Sequence, residues 1–90
     1  MIDELYEIIK DRQEHPKEGS YTNQLLNQGY ERCAQKVGEE AVEVIIAAGK
    51  QGRQRVIEES ADLVYHLLVL LVQQGVSLDE TKDELRKRHQ

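Results

Sequence analysis

The sequence predicts an all-α fold, a helical bundle of four to five helices completed by homodimerisation. Three observations carry that expectation. Apolar residues recur at helical spacing, and no segment sustains strand alternation. The breaks are short, at Pro16–Gly19, Gly29, Gly49–Gly52 and Gly75, so consecutive helices must be neighbours. Apolar residues make up 39% of 90 residues, with no Trp or Phe, which is a thin core for a solitary domain and points to an oligomer.

Each element follows from local pattern. Ile2, Leu5, Tyr6, Ile8 and Ile9 alternate with acids and Lys10 as one face of an amphipathic helix, which must end before Pro16. Ser20 can cap a short helix carrying Leu25 and Leu26, with Gly29 closing it. A longer helix is expected from about Tyr30 to Ala48, broken by Gly49-Lys50-Gln51-Gly52. The next runs from about Arg53 to Gln74 and stops at Gly75. Ser77, followed three residues later by Glu80, is a capping box that opens the last helix. The whole chain, residues 1–90, reads as one domain.

Composition excludes several function classes. Twelve basic and 17 acidic residues give a net charge of −5, the wrong sign for a protein that tracks nucleic-acid phosphates. A lone Cys33 offers no intramolecular disulfide and suits a reducing compartment. The N-terminus lacks a signal-peptide pattern, and the longest apolar run, Leu67–Val72, is too short to span a bilayer. A cytoplasmic protein without membrane partners is expected.

The two central helices hold the chemistry. On the first, Tyr30, Cys33, Ala34, Val37, Ala41, Val44, Ile45 and Ala48 form the expected core stripe. Val42 and Ile46 widen the apolar arc beyond what one core needs, and Lys36, Glu39, Glu40 and Glu43 fill the rest. The second is apolar nearly all round from Ile57 to Val72, which predicts burial. Its narrow polar stripe is Glu58, Glu59, Asp62, His66 and Gln73.

Glu40 with Glu43, and Glu59 with Asp62, are pairs three residues apart on helices that a short break makes antiparallel neighbours. Four carboxylates in a half-buried groove are costly unless protonated or joined by cations. Carboxylate oxygens suit a hard cation such as Mg²⁺, and one Cys with three His disfavours zinc. A plain solvated acidic face fits the same spacing. His66 makes no Glu-x-x-His pair with these acids, so a hydrogen-bonded structural histidine is its simpler reading. Lys36, one turn before Glu40, suits either an ordinary helical ion pair or a phosphate contact. Arg86–His89 complements a helix C-terminus, and Cys33 suits packing.

Glu39-Glu40-Ala41-Val42-Glu43 and Glu59-Ser60-Ala61-Asp62 resemble the EExxE…ExxD signature of the all-α nucleoside-triphosphate pyrophosphohydrolases. Gly19-Ser20-Tyr21-Thr22, Lys36–Glu40, Ser60–Leu71 and Leu85–His89 narrow the likeness to the phosphoribosyl-ATP pyrophosphohydrolases of histidine biosynthesis. That resemblance spans nearly the whole chain. It implies Mg²⁺-dependent hydrolysis of phosphoribosyl-ATP to phosphoribosyl-AMP and pyrophosphate by a homodimer, with the following cyclohydrolase on a separate protein. It implies Glu40, Glu43, Glu59 and Asp62 as Mg²⁺ ligands, with Glu39 as general base or outer-sphere residue. Lys36 would contact phosphate, and Ser20, Tyr21 and Thr22 would bind substrate. One departure is visible: Gln24 stands where relatives often carry a basic residue. Two other functions fit the acids: a housekeeping pyrophosphatase for dCTP or dUTP, and a non-catalytic helical dimerisation module.

Overall fold

The computed structural model describes residues 1–89. It contains α1 (Ile2–Glu14), α2 (Tyr21–Gln28), α3 (Tyr30–Ile46), α4 (Arg53–Gln74) and α5 (Leu78–Arg88), with no strand among the described residues. The fold class is all-α, as expected.

The predicted punctuation is found in place. The Ser20 side chain accepts from the Asn23 amide at the start of α2, and Ser77 accepts from Glu80 at the start of α5. Gly75 ends α4 in the left-handed conformation, φ 72° and ψ 23°. The α3–α4 connection differs from expectation. Winding does not stop at Gly49 but loosens into a π-helical turn, Ala47–Gln51. The break comes at Gly52, whose φ of 87° and ψ of 172° only glycine adopts readily.

α3 and α4 fold back on each other as the central hairpin. α1 packs on α4, and α2 bridges α1, α3 and α4. The core is Tyr6 and Ile9 from α1, Leu25 from α2, Cys33 from α3, and Leu68, Val69 and Val72 from α4. These come from the first turn of α3 and the last turns of α4. The core therefore lies at one end of the hairpin, and the other end projects. α5 returns to α1, where Lys82 pairs with Asp3 and the Tyr6 hydroxyl donates to the Val76 carbonyl at 2.8 Å.

The one-sided core corrects the expected α3 stripe. Cys33 is buried, and Ala34, Val37, Ala41 and Val44 are half-buried. Tyr30, Ile45 and Ala48 are exposed, while Ala47 is fully buried in the π-turn. Nor is α4 buried all round, since Ile57, Val64 and Leu67 face outward. The reason is reach: α1 and α2 cover only one end of the hairpin. No single helix among the described residues is long and apolar enough to cross a membrane.

Candidate metal centre and active site

The acids meet midway along the hairpin. Glu40 of α3 and Glu59 and Asp62 of α4 each place one carboxylate oxygen within 4.8 Å of the others. Glu59 is buried, Glu40 half-buried and Asp62 open to solvent. α4 puts Glu59 and Asp62, helical neighbours three residues apart, on one face, and α3 brings Glu40 against that face.

Three carboxylates this close repel unless cations offset them. Two of the chain's own cations do so. Lys36 Nζ lies 3.5 Å from Glu40 and 3.4 Å from Glu39. Arg55 forks between Glu58, at 2.5 Å, and the buried Glu59. Asp62 makes no ion pair among the described residues. Burial pulls the Lys36 ammonium down, but its bond to Glu39 and the charges of Tyr21, Glu40 and Glu39 outweigh it and raise its pKa.

The other expected residues lie outside this three-oxygen group. Glu43 lies one turn beyond Glu40, half-buried and outside the three-oxygen group. Glu39 is exposed, and its bonds to Gln35, at 2.8 Å, and to Lys36 hold its carboxyl below the usual range. It is therefore ionised at neutral pH but a weakened base. Ser20 is occupied as the α2 cap. Tyr21 meets His66 Nε2 at 3.0 Å, and Thr22 Oγ1 bonds the Tyr65 hydroxyl. Burial pushes the Tyr65 phenol up. Gln24 is exposed on α2.

Some contributors were not anticipated. Arg55 sits one turn before Glu59, a spacing that an ion-pair search along the helix would have found. Asn23 is buried and anchors the start of α2: its Oδ1 accepts from the Lys17 amide at 2.9 Å, and its Nδ2 donates to the Arg12 carbonyl at 2.8 Å. No local pattern distinguishes it from any loop asparagine. Arg86 and Arg88 pair with Asp83 and Glu84 on their own helix, and Cys33 is buried, its thiol donating to the Leu25 carbonyl.

Three oxygen donors from carboxylates, with room on the Asp62 side, fit a hard divalent cation such as Mg²⁺, which completes its shell with water and phosphate. Soft-metal ligands are absent from the group.

Comparison with known proteins matches residues 2–89 to the family model for phosphoribosyl-ATP pyrophosphohydrolase. A phosphoribosyl-ATP pyrophosphatase of Metallosphaera sedula is 54% identical, covering 98% of this chain and 95% of its own. The protein of the same name from Lactiplantibacillus plantarum is 53% identical, covering 97% and 82%. The histidine biosynthesis bifunctional protein HisIE of Oceanobacillus iheyensis is 48% identical over 99% of this chain but only 41% of its own length. The carboxylate group, the capped α2 and the hairpin thus lie in a chain that belongs to the phosphoribosyl-ATP pyrophosphohydrolase family.

Proposed function

We propose that this chain hydrolyses phosphoribosyl-ATP to phosphoribosyl-AMP and pyrophosphate in a Mg²⁺-dependent reaction of histidine biosynthesis. The observation that carries it is the convergence of Glu40, Glu59 and Asp62 oxygens within 4.8 Å, in a chain of this family. Carboxylates cannot neutralise a triphosphate, since both are negative. Bound Mg²⁺ supplies the positive charge that this chemistry needs and makes water more acidic.

The remaining steps belong to the chain's own residues. Glu40, Glu59 and Asp62 hold the cation, with Glu43 one turn along as a further ligand. Arg55 and Lys36 balance the acids beforehand. Lys36, released from Glu40, binds phosphate oxygens as charge builds on them. Glu39 orients the attacking water or accepts its proton, a modest base given its lowered pKa. Ser20–Thr22 line the substrate side.

The active form in this reading is a homodimer in the cytoplasm. The apolar residues exposed on the projecting hairpin, Val42, Ile45, Ile46, Ile57, Val64 and Leu67, support a second copy packing there.

The test is pyrophosphate release from phosphoribosyl-ATP, with and without Mg²⁺, beside a panel of nucleoside triphosphates. Metal-dependent turnover of phosphoribosyl-ATP alone is expected. Turnover of dCTP or dUTP instead would keep the metal centre and overturn the substrate. No turnover from a folded protein would leave a dimerisation module.

A further inference from the structure

Family resemblance makes Tyr21 and Thr22 substrate-binding residues, yet both hydroxyls are already engaged inside this chain. His66 Nδ1 lies 2.7 Å from the Asp62 main-chain carbonyl. A carbonyl only accepts, so Nδ1 carries the proton. Nε2 of the neutral ring is then an acceptor, and the Tyr21 hydroxyl, 3.0 Å away, is its donor. Beside it, Thr22 bonds Tyr65. The rings interlock: Tyr65 and His66 meet edge-on at 5.0 Å, Tyr21 and His66 at 5.9 Å, and Tyr21 stacks on Tyr65 at 6.3 Å. His66 is buried, whereas Tyr21 is 45% exposed, so burial alone does not hold Tyr21 in place. Nor does α2 stand by itself, being eight residues long.

We propose that Tyr21 and His66 work as one hydrogen-bonded clasp, which fastens the first turn of α2 to α4 one turn past Asp62 and makes both positioning residues. The proposal rests on the acid cluster being the reaction centre. In this arrangement the Tyr21 hydroxyl is not available to a phosphate. Its contribution is to hold Ser20–Thr22 at a set distance from Lys36 and the acids. Loss of the clasp loosens substrate binding and leaves the acid cluster, and hence the chemical step, largely intact.

The experiment compares Tyr21→Phe, His66→Gln and the double variant, using the full chain. Each single change is expected to raise KM about tenfold while kcat moves less than about twofold, and the double variant to be no worse than the worse single one. Imidazole nitrogen NMR at about pH 8, where a free histidine is neutral, gives an activity-independent reading. His66 is expected to show a protonated Nδ1, with the Nε2 resonance shifting in Tyr21→Phe. If His66→Gln does not fold, Tyr21→Phe keeps the ring packing and still supplies both the KM split and the resonance shift.

Additive losses in KM would show Tyr21 meeting substrate independently and overturn the proposal. So would a collapse of kcat in Tyr21→Phe, or a protonated Nε2 with a bare Nδ1. If no nucleotide is turned over while the Nδ1–H signature is intact, the functional reading falls and the positioning role with it, leaving a packing bond. A missing signature in an active enzyme sinks the clasp alone.

Discussion

Asp62 is the acid without a cation of its own, because Lys36 serves Glu40 and Arg55 serves Glu59. Asp62→Asn should therefore relieve repulsion, leaving thermal stability in metal-free buffer unchanged or higher. Turnover should fall about a hundredfold or more if Asp62 is a metal ligand, as the proposed function requires. Parallel melting curves and pyrophosphate assays check both halves, and retained activity would remove Asp62 from the metal centre. Glu39 makes a different prediction. Its folded pKa is depressed, by Gln35 and then Lys36, so its contribution to stability is present above the ordinary carboxylate value of 4.5 and lost as pH falls through the depressed one. The stability gap between the wild type and Glu39→Gln should thus be open at about pH 6 and shrink as the pH falls below the ordinary carboxylate range. A gap that widens on acidification would contradict the assigned contacts.

Elements are decided by their ends. Four predicted boundaries rest on a cap or a breaker that acts locally: Pro16, Ser20, Gly75 and Ser77. The α3 terminus was legible only in part. Both Gly49 and Gly52 read as breakers, but only Gly52 has positive φ, while Gly49 continues the winding with open space around its Cα. Gly49→Ala should stabilise the protein by about 0.5–1 kcal/mol. Gly52→Ala should destabilise it by about 1–3 kcal/mol, because alanine is strained at that φ and ψ. Denaturant unfolding of the pair distinguishes a continued π-turn from a break at Gly49, in which case both changes would destabilise.

The whole molecule is larger than its chain length requires. Its radius of gyration is 14.1 Å, against about 12 Å for a compact 90-residue domain. Its accessible surface is 6322 Å², against about 5,400 Å² for a folded monomer of this mass. The excess is comparable to the share of about 800 Å² that one partner buries in a standard interface. Sedimentation equilibrium should find a dimer, and Ile45→Glu, at a position 70% exposed, should shift it towards monomer at micromolar concentration. A wild-type monomer would sink the homodimer. Activity lost together with dissociation would place the interface close to the working site.

Helix class, helix order, most boundaries and the acidic pairs were determined by the sequence alone, because each depends on residues within a turn or two of one another. The acids Glu59 and Asp62 stood out since a narrow polar stripe on an apolar helix has few other uses. Only the tertiary structure decided which carboxylates meet. That choice depends on the axial level at which α3 packs on α4, and it brings Glu40 rather than Glu43 to the α4 pair. Tertiary structure also decided which apolar residues are core, because α1 and α2 reach just one end of the hairpin. The partners of Tyr21 and Thr22 lie 45 and 43 residues away in sequence. Contacts at that separation follow from how helices pack, and no local pattern encodes them.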